Sequence, residues 1–103
     1  TGYKDAAAVM AGSVLEEHLR QLCTKSDSPT HEMKDDKQVP LKADRLNADL
    51  AKKPVYSKLD QKLITAWLEI RNKAAHGHYA DFNVEQVRTM ISGVTEFMAR
   101  VHL

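Results

Sequence analysis

The chain has 103 residues, too few for two hydrophobic cores, so we expect one small domain. Because the first residue is Thr1 and not methionine, we expect this domain to be part of a longer protein. Hydrophobic residues make up 43% and charged residues 28%, and the formal net charge of +1 excludes a basic field spread over the whole surface. No apolar run approaches the ~20 residues that span a bilayer, and the single cysteine, Cys23, excludes an internal disulfide and favours a reducing cytoplasm.

The spacing of apolar residues predicts four amphipathic helices and no strand. The first covers Tyr3 to Thr24, where apolar residues recur every three or four positions. Gly12 lowers the helix propensity of this segment but permits a neighbouring helix to approach closely. The segment from Lys25 to Pro40 is polar, charged and rich in turn-forming residues, so it predicts a long surface loop between helices 1 and 2.

The second half of the chain carries clear signals for helix ends. A short helix is predicted for Leu41–Lys52, with Pro54 beyond its end. Ser57 is a candidate N-cap for a third helix that runs to about His76, where Gly77 stops it. Asn83 is the N-cap of a last helix. The apolar face predicted for that helix is Val84, Val87, Ile91, Val94, Met98 and Val101. Short links between the last three helices predict an all-α fold, an antiparallel four-helix bundle.

The third helix shows two apolar rows where a helix on the surface of a bundle needs one. The predicted core stripe is Leu59, Leu63, Ala66, Trp67, Ile70 and Ala74. The second row is Ile64, Leu68, Arg71 and Ala75, roughly 100° further around the helix. We expect Ile64, Leu68 and Ala75 to form an interface with a second copy of the chain. The alternative is that this row widens the contact within one bundle.

The end of the third helix carries the residues that a metal-free ribonuclease needs. Cleavage begins when a base takes the proton of a ribose 2′-hydroxyl, and histidine suits this task because its ordinary pKa lies near neutrality. Arg71 could stabilise the charge that gathers on the phosphoryl oxygens, His76 could act as the base, and Asn72 could orient the ring or the substrate. In a regular helix Arg71 lies about 140° away from His76, which favours a composite site from two copies. Alternatively, His76 only caps the helix.

Residues around this pair are weaker candidates. Lys73, His78 and Tyr79 are predicted to contact the substrate, Tyr79 by stacking on a base. Each has an alternative, such as an ion pair between Lys73 and Glu69 that only stabilises the helix. The histidines and Asp81 offer too few ligands for zinc, so no metal and no cofactor is predicted.

The segment Arg-Asn-Lys-Ala-Ala-His-Gly-His-Tyr, residues 71–79, resembles the signature of the HEPN superfamily (higher eukaryotes and prokaryotes nucleotide-binding domain). Residues 11–20, Ala-Gly-Ser-Val-Leu-Glu-Glu-His-Leu-Arg, are similar to the opening helix of these domains. The resemblance implies an all-α bundle, usually dimeric with the motif at the interface. It also implies metal-independent endoribonuclease activity, as in bacterial toxins and antiviral defence systems. Arg71 would stabilise the phosphate, Asn72 would be its polar companion, and His76 would be the base.

We therefore expect a cytoplasmic endoribonuclease that leaves a 2′,3′-cyclic phosphate. Its expected partners are RNA, a second copy bound through the motif helix, and an inhibitor or antitoxin protein, but no membrane. One alternative is a non-catalytic docking module that uses the second apolar row. Another is a nucleotide-binding module in which Arg71 holds a phosphate and His76 is not a base.

Overall fold

Four helices and one β-hairpin make up residues 2–103, the part of the chain that the computed structural model describes. The elements in chain order are α1 (Gly2–Lys25), β1 (His31–Lys34), β2 (Lys37–Pro40), α2 (Ala43–Lys52), α3 (Lys58–Ala75), a 3-10 turn (Tyr79–Asp81) and α4 (Val84–Arg100). The predicted helices are confirmed, and the fold is mostly helical. No helix within the described residues is both long and apolar enough to cross a membrane.

The predicted helix ends are confirmed by their hydrogen bonds. The Ser57 hydroxyl accepts a hydrogen bond from the backbone N–H of Asp60 at 3.1 Å, which caps α3. Beyond the other end of α3, Gly77 has a φ of +80°, a conformation that favours glycine. At the start of α4, Asn83 and Gln86 form a capping box through two hydrogen bonds of 2.8 Å.

The predicted loop between α1 and α2 contains a β-hairpin, which corrects the expectation of no strand. β1 and β2 pair antiparallel, with Glu32 opposite Val39 and Lys34 opposite Lys37. The turn between them is made by Asp35 and Asp36, which have positive φ values of 52° and 63°. Both strands are exposed except at Val39. Because neither face is buried in a core, the strands lack the alternation of apolar and polar residues that would have predicted them.

Helix α1 lies at the centre of the packing, in contact with each of the other three helices. Its buried side chains are Ala8, Leu15, Leu19, Leu22 and Cys23. They pack against apolar residues of α2, α3 and α4 in one main core and a smaller cluster around Phe82.

The burial of the two apolar rows of α3 differs in part from the prediction, because residues of the second row are buried and residues of the expected core stripe are exposed. Ile64 and Leu68 are 0% and 1% exposed in a single chain, whereas Leu59 and Leu63 of the expected core stripe are 68% and 42% exposed. Helix α3 packs against both α1 and α2, and Ile64 and Leu68 lie in the main core together with Trp67 of the expected stripe. Ile64 and Leu68 therefore cannot form the predicted interface with a second copy, although Ala75 is exposed. The alternative, that this row serves the bundle itself, is the arrangement observed.

The buried face of α4 also differs from the prediction. Val87 and Val94 are buried as expected, but Met90 and Phe97 complete the buried row, and Val84 and Ile91 are exposed. One ion pair ties this helix to α3, since the guanidinium of Arg100 donates two hydrogen bonds, of 2.8 and 3.1 Å, to the carboxylate of Asp60.

Candidate functional site

The C-terminal end of α3, the middle of α1 and the segment that joins β2 to α2 surround a cleft of about 660 Å³, here called the motif cleft. Its lining residues are Glu16, Arg20, Pro40, Leu41, Lys42, Ala43, Asp44, Arg71, Asn72 and His76. All three predicted catalytic residues are thus brought together within one chain. The volume lies in the ~300–1,000 Å³ range typical of ligand sites.

Arg71 is held in the cleft by contacts along its whole length. Its aliphatic stem lies against Gly12, where a Cβ atom would overlap Arg71 Cγ and lie 2.5 Å from Arg71 Cβ. Arg71 Nη1 donates to Glu16 Oε1 at 3.0 Å, and Arg71 Nε donates to Asn72 Oδ1 at 3.0 Å. The side chain is 19% exposed. Within residues 2–103 no acceptor is bonded to Nη2, so this nitrogen can donate to a ligand.

Glu16 links the arginine of the motif to the base of the hairpin. Its second carboxylate oxygen, Oε2, accepts from Arg20 Nη2 at 2.8 Å. Arg20 also donates to the carbonyl oxygens of Leu41, at 2.7 Å, and Thr30, at 3.4 Å, which flank the hairpin. Glu16 and Arg20 are four residues apart on α1, both side chains are three-quarters buried, and Glu16 bridges two guanidinium groups.

The electrostatics of this link keep Glu16 ionised. Burial by itself raises the pKa of the Glu16 carboxyl group, but the hydrogen bonds from Arg20 and Arg71 outweigh it and lower the pKa below its ordinary value. The ionised carboxylate orients Arg71 and neutralises part of its charge. Lys42 adds a further cation to the cleft, and Asp44 adds a second carboxylate.

His76 occupies the position where the chain leaves α3. Its backbone N–H still donates to the carbonyl oxygen of Asn72 at 3.0 Å, but its φ and ψ of −98° and 11° are no longer helical. The imidazole is exposed and makes no hydrogen bond to the residues that the structure describes. The alternative interpretation, in which the ring caps the last carbonyl groups of α3, is therefore not the arrangement observed.

The position of His76 also changes the argument for a composite site. An angle of about 140° between Arg71 and His76 applies only if both residues lie in one regular helix. Because His76 lies just beyond the helix, both residues line the same cleft of one chain. A second copy is not needed to bring them together. Asn72 contacts Arg71 rather than the imidazole, so its observed role is to orient the guanidinium.

The three residues predicted to contact substrate do not line the motif cleft. Lys73 Nζ lies 3.5 Å from the Glu69 carboxylate, the ion pair that was the alternative for it. His78 Nδ1 lies 3.9 Å from the carboxylate of Asp81. The carbonyl oxygen of Tyr79 accepts a hydrogen bond from Lys4 Nζ at 2.7 Å, while its ring is half-exposed.

Nothing in the sequence indicated that Lys42 lines the motif cleft. Lys42 lies just before α2, about thirty residues from Arg71 in the chain, and no spacing rule connects the two. Glu16 and Arg20 are four residues apart within α1, and the contact of Glu16 with Arg71 depends on how α1 packs against α3. Among the described residues, no group of three or more His, Cys, Asp or Glu side chains is placed to hold a metal ion.

The motif cleft thus combines a fixed guanidinium, an exposed imidazole and an exposed ammonium group. Such groups can bind a phosphate and transfer a proton beside it. Comparison of the chain with protein families, with curated proteins and with solved structures found no match.

Proposed function

We propose that this protein is a HEPN-like helical bundle that cleaves RNA without a metal ion, with the motif cleft as its active site. One observation carries the proposal. The guanidinium of Arg71, fixed by Glu16 and Asn72, lies in the same cleft as the exposed residue His76.

In this mechanism the imidazole of His76 takes the proton of a ribose 2′-hydroxyl. The 2′ oxygen forms a bond to the adjacent phosphorus, and the bond from phosphorus to the 5′ oxygen breaks. The 5′ oxygen leaves with the electron pair and takes a proton from solvent, to which the imidazolium returns its own. The products carry a 2′,3′-cyclic phosphate and a 5′-hydroxyl. A positioned base contributes ~10²–10⁴-fold to such a reaction.

Arg71 stabilises the negative charge that grows on the phosphoryl oxygens during the attack. Its free Nη2 donates to one of these oxygens, and a charge-assisted hydrogen bond of this kind is stronger than one between neutral groups. Glu16 and Asn72 hold the guanidinium in place before the substrate arrives, so little reorganisation is needed at the moment of reaction.

The proposal includes a cytoplasmic setting in a bacterial toxin or phage-defence system, with an inhibitor or antitoxin protein as a further partner. It also includes a homodimer, in which two motif clefts face each other. Because Ile64 and Leu68 are buried in the core of one chain, the contact would use Ala75 and the exposed end of α3.

The test is cleavage of single-stranded RNA in excess EDTA, with the product ends identified by mass spectrometry. We expect 2′,3′-cyclic phosphate ends, and a loss of at least 100-fold in rate for Arg71→Ala and for His76→Ala. Matched controls are Arg88→Ala and His102→Ala, which remove exposed side chains that do not line the cleft. Circular dichroism checks that each variant is folded. Intact RNA with the folded wild-type protein, or undiminished cleavage by either motif variant, contradicts the proposal.

A second candidate function is nucleotide binding without catalysis. It is favoured by the contacts that hold Arg71, none of which involves His76. This function predicts that Arg71→Ala abolishes nucleotide binding, that His76→Ala retains it, and that the wild-type protein leaves RNA intact. The third alternative, a docking module, loses the surface proposed for it, because Ile64 and Leu68 are not exposed.

A further inference from the structure

A second cavity, of about 370 Å³, lies beside the motif cleft and runs along one face of the hairpin. Three residues line both cavities, namely Pro40, Leu41 and Lys42. The two cavities are therefore neighbours, and together they are here called the hairpin trough, whose lining includes His76 and Lys34. Its residues outside the motif cleft are Glu32, Lys34, Val39 and Arg45.

Two lysines in the trough are free to bind an anion. Lys34 and Lys42 are exposed, and neither forms an ion pair with the residues that the structure describes. Arg45, by contrast, is engaged by the carboxylate of Asp49 at 3.0 Å. Glu32 and Asp44 also lie in the trough, so its positive charge is concentrated at the two lysines rather than spread evenly.

The hairpin itself places a second cation beside Lys34. Lys34 lies directly opposite Lys37 in the antiparallel register, so both side chains leave the same face of the hairpin. Like charges directly opposite each other destabilise a strand pair. An anionic ligand on that face would relieve the repulsion between the two ammonium groups.

Apolar residues line the trough together with its cations. Val39, Pro40 and Leu41 line the same cavity as Lys34 and Lys42, although Leu41 is almost fully buried. A surface that combines cations with apolar contacts suits a single strand of RNA, which offers both phosphates and splayed bases. In a duplex the bases are stacked and paired, and their faces cannot reach such a surface.

We infer that the hairpin trough binds the single-stranded RNA that flanks the scissile linkage, with Lys42 and Lys34 contacting successive backbone phosphates. This inference rests on the proposed function, because it takes the motif cleft as the place where the linkage is cut. It makes the hairpin, rather than residues 73–79, the main surface for substrate binding.

The experiment measures the affinity of the His76→Ala protein, in which we expect cleavage to be at least 100-fold slower, for a single-stranded oligoribonucleotide at several salt concentrations. Each phosphate contact contributes about 0.7 to the slope of log K against log salt concentration for a single strand. We expect Lys34→Gln and Lys42→Gln each to lower the slope by about 0.7 and to weaken binding several-fold at low salt. Lys62→Gln is the matched control, since Lys62 is exposed on α3 outside the trough. A duplex of the same sequence should bind more weakly than the single strand.

The outcomes separate this inference from the proposed function. If the slope is the same for both trough variants and the control, if the duplex binds as tightly, or if no RNA binds, the inference is overturned. The first two outcomes do not contradict the proposal that the wild-type protein cleaves RNA. If binding depends on Lys34 and Lys42 but the wild-type protein leaves RNA intact, the binding surface is supported and the nuclease proposal fails.

Discussion

Replacement of Gly12 by alanine tests how closely α1 and α3 approach each other at the candidate site. A Cβ atom at position 12 would overlap Arg71 Cγ and lie 2.5 Å from Arg71 Cβ. Arg71 Cβ is fixed to the backbone of α3, so a change of rotamer cannot relieve the whole overlap. Either the two helices move apart or the arginine is displaced from Glu16.

The expected change in stability is the difference between two opposing effects. Overpacking of this kind costs about 1–3 kcal/mol, whereas alanine in place of glycine inside a helix stabilises it by about 1 kcal/mol. We therefore expect Gly12→Ala to lower the free energy of unfolding by about 0–2 kcal/mol. Because the guanidinium moves away from Glu16, we also expect RNA cleavage by the folded protein to fall by about tenfold or more.

Gly93→Ala is a matched control for this variant. A Cβ atom at Gly93 of α4 would overlap Trp67 Cζ2 and lie 2.9 Å from Trp67 Cη2, and neither residue lines the motif cleft. We expect Gly93→Ala to lose stability in urea denaturation but to keep its cleavage rate per folded molecule. The reasoning is refuted if Gly12→Ala gains about 1 kcal/mol of stability and cleaves RNA at the wild-type rate.

Three further substitutions test other parts of the structure. Glu16→Gln removes the ionised acceptor of Arg71, so we expect cleavage to fall about tenfold and the free energy of unfolding to drop by about 1–3 kcal/mol; wild-type cleavage would show that Glu16 does not position Arg71. The hydrogen bonds from Arg100 hold the pKa of Asp60 below its ordinary value. The ion pair therefore stabilises the folded protein fully above the unfolded pKa of about 4, and this stabilisation is lost as the pH falls through the folded pKa. The stability difference between wild type and Asp60→Asn in urea titrations should therefore shrink from pH 6 to pH 3, and a constant difference would contradict the ion pair. Leu68→Ala should cost about 2–5 kcal/mol in the monomer, because the side chain is buried, and a cost below about 1 kcal/mol would contradict that burial.

Helix boundaries were predictable because each depends on signals within a few residues. The cap at Ser57, the capping box at Asn83 and the stop at Gly77 are local interactions between the backbone and nearby side chains. The hairpin was not predictable in this way. Its strands are exposed, and its turn uses two aspartates in a conformation that asparagine and glycine more often adopt.

Periodicity identified both apolar rows of α3 but could not decide which one is buried. A hydrophobic row shows that some surface is covered, and the covering partner is equally well another helix of the same chain or a second copy. The packing of α3 against both α1 and α2 decided this question, by burying Ile64 and Leu68 within one chain.

The sequence by itself determined the four helices, the caps of α3 and α4 and the presence of Arg71, Asn72 and His76 at the end of α3, because these features depend on residues close together in the chain. Only the tertiary structure decided that Glu16 holds Arg71, that Gly12 makes room for it, and that the hairpin extends the cleft. The physical reason is that these contacts join segments up to 59 residues apart, from Gly12 to Arg71. Their geometry follows from how the helices pack, which local propensity does not encode.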